Sequence, residues 1–169
     1  MTTQWTSPTV VEQYVEDGAE AVHVAWKETE LTGNTVITTD GTLLHLARSP
    51  KVDYKNKTYY LKATGFNFTN VPENISGVEL RLNTDRRGRV SDETIQLLVN
   101  NAPVGDNQAT LVLDPIKHYG GENSIWGLDS LSKEEILNSG FGVLIRFKAH
   151  PDWPHRDEAK IRAVQLLIY

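Results

Sequence analysis

The chain has no cysteine among its 169 residues, so disulfides and thiolate-bound metals are excluded. A protein made and kept in a reducing cytoplasm has no need of either. Positive charge is not in excess: 17 Lys and Arg stand against 22 Asp and Glu, a net charge of −5. Nucleic-acid binding draws much of its affinity from neutralised phosphates, so no nucleic-acid partner is expected. No apolar run approaches the ~20 residues that span a bilayer; Leu166-Leu167-Ile168 is typical of their length. The start, Met1-Thr2-Thr3-Gln4-Trp5, has neither a basic stretch nor an apolar one, so neither a signal peptide nor membrane insertion is expected. Also missing are the phosphate-cradling G-x-x-x-x-G-K-[ST] loop, the dinucleotide G-x-G-x-x-G turn and the G-x-S-x-G nucleophile elbow. No carboxylate pair is marked out for glycoside hydrolysis. The chain is therefore read as non-enzymatic and without a cofactor.

What is present is strand chemistry. Residues 59–68 are rich in aromatic residues and broken by Gly65. In 75–82, Val78, Leu80 and Leu82 alternate with Glu79 and Arg81, the period-2 pattern of a half-buried strand. Further strands are expected over 94–99, 110–113, 142–149 and 161–169. Asn100-Asn101-Ala102-Pro103 is read as a turn, and so is Tyr119-Gly120-Gly121. Strands at this spacing predict an all-β fold, an antiparallel β-sandwich or jelly roll. One short helix is expected over 133–139. Ser132-Lys133-Glu134-Glu135 fits a capping box, and Gly140 suits a left-handed C-terminal position. Trp126, between Ile125 and Gly127, reads as a core plug whose indole N–H finds a backbone carbonyl.

The first 58 residues are less regular. Strands are expected over 10–15 and 19–26, then a hairpin with strands at 35–39 and 43–47 around Asp40-Gly41. Residues 51–56 read as a polar loop. No repeat or linker divides the chain, so residues 1–169 form a single domain at a length sufficient to bury a core.

Three groups of residues are candidates for a site. Arg86, Arg87 and Arg89 concentrate positive charge in a loop of an acidic chain, and guanidinium groups suit bidentate contact with a phosphate or an acidic partner, the alternative being a solvated loop that repels edge-to-edge association. His150, Asp152 and His155 are metal-ligating residue types. Pro151 and Pro154, however, hold that stretch extended, so two titrating histidines on a surface loop is the favoured reading and no metal is assigned. Trp153, between Asp152 and Pro154, is the candidate for stacking on a sugar ring.

The order of several short strings resembles a β-sandwich domain of tailed-phage and prophage virion structural proteins. The strings are Leu61-Lys62-Ala63-Thr64-Gly65-Phe66, Val71-Pro72, Ile75, Gly77-Val78-Glu79, Val90 and Asp92, and Gly105 and Asn107. They continue through Tyr119-Gly120-Gly121, Trp126-Gly127-Leu128, Ile136 and Asn138-Ser139-Gly140-Phe141-Gly142-Val143. The resemblance covers residues 59–169 and leaves 1–58 as less typical strands or a docking arm. It implies a non-enzymatic structural protein made in the host cytoplasm and located in the virion. With no stem or second module after Tyr169, a compact decoration, cement or neck–tail accessory subunit is expected. Its partners would be other virion proteins, and it would form a homo-oligomer, a trimer being one suitable form. The alternative is a carbohydrate-binding module or adhesin head that uses Trp153.

Overall fold

The computed structural model describes residues 2–18, 25–26, 28–29, 47–52, 57–84, 90–111, 114–149 and 157–169. Among these described residues, ten strands and one helix follow in order: β1 (Val10–Tyr14), β2 (Glu28–Thr29), β3 (Ala47–Val52), β4 (Tyr60–Thr64) and β5 (Val78–Thr84). Then come β6 (Val90–Val99), β7 (Ala102–Val104), β8 (Ile116–Gly121), α1 (Lys133–Leu137), β9 (Gly142–Ala149) and β10 (Asp157–Ile168). They form two five-stranded antiparallel sheets, ordered β1-β4-β9-β6-β7 and β2-β3-β10-β5-β8. The all-β sandwich read from the alternation is the observed architecture.

Alternating side chains from both sheets fill the interior. From one come Leu61 and Ala63 of β4, Ile95 and Leu97 of β6, and Val143, Ile145 and Phe147 of β9. From the other come Val78, Leu80 and Leu82 of β5, and Ile161, Val164, Leu166 and Ile168 of β10. The spacing of three between Ile161 and Val164 breaks the period of two. It is explained by a register shift between Ile161 and Ala163, where the strand bulges against β5.

A second bulge lies in β6, between Asp92 and Thr94 opposite β9. Its loosened backbone is completed by a side chain: Asn107 Oδ1 accepts from the amides of Ile95 (2.9 Å) and Ala109 (3.1 Å). Asn107 Nδ2 donates to the Glu93 carbonyl at 2.9 Å. One amide thus meets three backbone groups that the ladder leaves open.

Several expected boundaries move. The aromatic stretch 59–68 supplies β4 over residues 60–64 alone, because Gly65 turns the chain with φ 70°. The expected turn at 100–103 is a tight hairpin: Asn100 and Asn101 take positive φ (52° and 66°), and Ala102 opens β7. Positive φ at two successive central residues is the type I′ geometry that matches sheet twist. Tyr119-Gly120-Gly121 is the end of β8, paired with β5, rather than a turn. Thr110 and Leu111 lie outside any strand, and 112–113 fall outside the described residues. The readings at 19–24, 35–39 and 43–46 lie mainly or wholly outside them too.

The helix forms as its sequence requires. Ser132 accepts from the Glu135 amide, and Glu135 returns a 2.8 Å bond from the Ser132 N–H. The role expected of Gly140 is corrected. The helix ends on Asn138 in an extended conformation. Gly140 is required instead by close approach, since a Cβ there would lie 2.8 Å from the Asn101 backbone nitrogen.

Candidate functional site

The residues singled out from the sequence as site candidates lie outside the described residues. Arg86, Arg87 and Arg89 belong to 85–89, between β5 and β6; His150, Asp152, Trp153 and His155 belong to 150–156, between β9 and β10. Among the described residues, no group of three or more His, Asp or Glu gathers as a metal cage would. The structure assembles four other constellations.

The first joins the two sheets. Asp92, facing inward at the β6 bulge, receives Lys117 Nζ at 3.0 Å on Oδ1 and 3.1 Å on Oδ2. The Tyr119 hydroxyl donates to Oδ2 at 2.5 Å. Lys117 and Tyr119 lie on the inward row of β8, opposite Leu82 and Leu80. Burial first, then the charge and hydrogen bond of Asp92, push the Tyr119 hydroxyl well above its ordinary range and keep it protonated. Period-2 reading of Ile116-Lys117-His118-Tyr119 from Tyr119 backwards would have placed Lys117 inside. Its charge hides the signal.

The second closes one end of the sandwich around Trp126, which is fully buried. Its indole N–H donates to the Val78 carbonyl at 2.9 Å, as the sequence led one to expect. Its own carbonyl accepts from Asp106 N–H at 2.6 Å. The residue holds φ 58°, a left-handed conformation costly for a bulky side chain. Gly120 supports it: a Cβ there would sit 2.4 Å from the indole nitrogen and 2.2 Å from the Val78 oxygen. Gly105, Gly120, Trp126 and Gly127 are therefore residues of closure, and Asn107 serves the adjacent bulge. Each answers to packing or backbone geometry, with no ligand needed to explain it.

The third is on the surface, where β1 forms one edge of its sheet. Val10 and Tyr14 are 42% and 41% exposed. Ile95, whose N–H and carbonyl are taken by Asn107 and Gln108, stands opposite Ile145, and Ile145 opposite Leu61. Alternation therefore turns the backbone groups of Tyr60, Lys62 and Thr64 toward β1 and leaves the amides of Val11 and Gln13 pointing away from β4. Tyr14 stacks on Tyr60 with ring centroids 5.1 Å apart, and the Arg146 guanidinium lies 4.3 Å over Tyr60. Arg146 Nη1 pairs with Glu16 at 2.7 Å, and its Nε donates to the Thr58 carbonyl at 3.0 Å. The edge thus adjoins a rigid platform of tyrosine and arginine, residue types that dominate protein interfaces. The other edges are blunted: β2 has two residues, β7 has three with Pro103 at its centre, and β8 points the charge of Lys117 inward.

On the outer face of the opposite sheet, Glu79 accepts from Tyr169 and lies 2.5 Å from His118 Nδ1. Burial alone would raise its carboxyl. The bonds from Tyr169 and His118 and the nearby charges of His118 and Arg81 outweigh that, holding it below the usual range. The same hydrogen bond, with some burial, pushes the Tyr169 hydroxyl from 10.0 to about 12. Glu79 therefore contributes stability above its unfolded value, lost as pH falls through the depressed folded one. Tyr169 contributes below 10, lost as pH rises toward about 12. Glu79→Gln is expected to flatten both limbs when denaturation midpoints are followed across pH. Limbs superimposable on those of the wild type would refute this account.

No family model matches the chain, and neither a curated protein nor a solved structure matches it.

Proposed function

We propose that this chain is a non-enzymatic structural protein of a tailed-phage virion, a compact decoration, cement or neck–tail accessory subunit that binds neighbouring virion proteins. The observation that carries the reading is the β1 edge. Among the described residues it is an edge strand, with the amides of Val11 and Gln13 turned outward and Val10 and Tyr14 exposed, set beside the Tyr60–Arg146 platform. An edge of this kind offers backbone pairing and aromatic anchors to another chain. The ordered resemblance of the strings between Leu61 and Val143 to virion sandwich domains supports the class of partner. Arg86, Arg87 and Arg89 are a second proposed contact, on their sequence alone. Occupancy at symmetric positions on a particle favours a homo-oligomer, a trimer among the suitable forms.

The test is immunogold labelling of intact particles from the source lysate with antibody against this protein. Regular label over heads would make it a decoration or cement protein, and label at the head–tail junction or tail a neck or tail accessory. Absence of label from every particle would end the virion reading and leave the carbohydrate-binding alternative, to be checked by glycan retention of Trp153→Ala. The double variant Val10→Lys/Tyr14→Lys is expected to fold and to lower particle occupancy at least tenfold. Undiminished occupancy would remove β1 as the contact.

A further inference from the structure

Asp92 and Lys117 come from different sheets, β6 and β8, and meet inside the sandwich with side chains 0% and 7% exposed. Their surroundings are apolar: Asp92 stands opposite Phe147, Lys117 opposite Leu82 and Tyr119 opposite Leu80, all deeply buried. Lys117 Nζ touches both carboxylate oxygens, at 3.0 and 3.1 Å. That geometry brings the nitrogen within the roughly 3–3.5 Å of the carboxyl carbon from which attack begins. The Tyr119 hydroxyl and, at 3.4 Å, the Thr110 amide point at Oδ2. An amine, a carboxyl and two donors aimed at one carboxyl oxygen are thus held together where bulk water is excluded.

We infer that Asp92 and Lys117 condense into an intramolecular isopeptide bond that ties the two sheets covalently. A proton passes from the Lys117 ammonium to Asp92 Oδ1, leaving a neutral amine beside a carboxylic acid. The amine lone pair attacks Cγ, the Nζ–Cγ bond forms, and the carbonyl electron pair moves onto Oδ2. The Tyr119 hydroxyl and Thr110 N–H hold the resulting oxyanion, donors placed where the charge develops. A second proton passes from nitrogen to the Oδ1 hydroxyl, the Cγ–Oδ1 bond breaks and water leaves. The third nitrogen-bound hydrogen stays as the amide N–H. Ammonium plus carboxylate gives amide plus one water, with no redox change and no co-reactant. Two features of the site favour the product. Buried charges carry a desolvation cost that a neutral amide does not, and a dry interior opposes the return of water.

Intact-mass spectrometry of the denatured full-length chain tests the bond. The expected result is a mass lower than the sequence mass by one water, accumulating over a time course in the folded state. Peptide mapping should then yield a branched peptide that joins the segments containing residues 92 and 117. Lys117→Arg, which keeps the charge but lacks the amine nucleophile, should retain the full sequence mass. Tyr119→Phe should slow the loss of water by about a hundredfold, as removal of an oxyanion donor does. A wild-type chain that keeps its full mass throughout overturns the inference. So does a loss of water that persists in Lys117→Arg, which would mark cyclisation at an aspartate instead.

Discussion

Measured against the wild-type chain before the Asp92–Lys117 bond forms, Asp92→Ala is expected to cost about 3–5 kcal/mol of folding stability, the usual penalty for removing one partner of a buried ion pair. The loss arises from what stays behind. The Lys117 ammonium and Tyr119 hydroxyl would face Leu82, Leu80 and Phe147 without the carboxylate that satisfies both. Truncating the acid therefore hurts more than removing the whole polar set. Asp92→Leu combined with Lys117→Met and Tyr119→Phe is expected to recover at least half of that loss, since apolar replacements of similar volume carry no buried charge. Urea denaturation of the three proteins decides it. A triple variant no more stable than Asp92→Ala would show that shape, and not charge, governs this part of the interior.

The second large effect is at Trp126, where two costs oppose each other. Trp126→Ala opens a cavity at a fully buried site and frees the Val78 carbonyl, for a loss of about 3–5 kcal/mol. The backbone there holds φ 58°, which disfavours L residues by roughly 1–2 kcal/mol relative to glycine. Trp126→Gly should therefore be more stable than Trp126→Ala by about 1 kcal/mol, the reverse of the order at an ordinary strand or helix position. Thermal denaturation of the pair gives the sign. If alanine is the more stable, the left-handed conformation does not contribute as argued.

The positions that were legible in the sequence share a property: their signal is local. Val78, Leu80 and Leu82 alternate with polar neighbours, and all three are fully buried. Ser132 and Glu135 are three residues apart and complete a capping box without outside help. The misread positions answer to distant partners. Gly140 looked like a helix cap, but it is small because Asn101 of the β6–β7 hairpin turn lies against it. Tyr119-Gly120-Gly121 looked like a turn, but pairing with Val78, Glu79 and Leu80 makes it strand, and the glycine at 120 clears the Trp126 indole.

The residues proposed as partner contacts divide the same way. Arg86, Arg87 and Arg89 were noticed because charges adjacent in sequence are visible as a cluster. The Tyr14–Tyr60–Arg146–Glu16 platform was not, since its members are spread from residue 14 to 146 and meet through the order β1-β4-β9.

By itself the sequence determined the all-β class, the short capped helix and the buried role of Trp126, because alternation, capping and side-chain size act within a few residues. The tertiary structure alone decided that Lys117 turns inward to Asp92 while Ile116 is left 52% exposed. Along one strand a charged residue inside and an apolar one outside is the unfavourable assignment. A carboxylate and a hydroxyl waiting across the sandwich reverse that preference, since they offer the ammonium partners where a strand in isolation offers none.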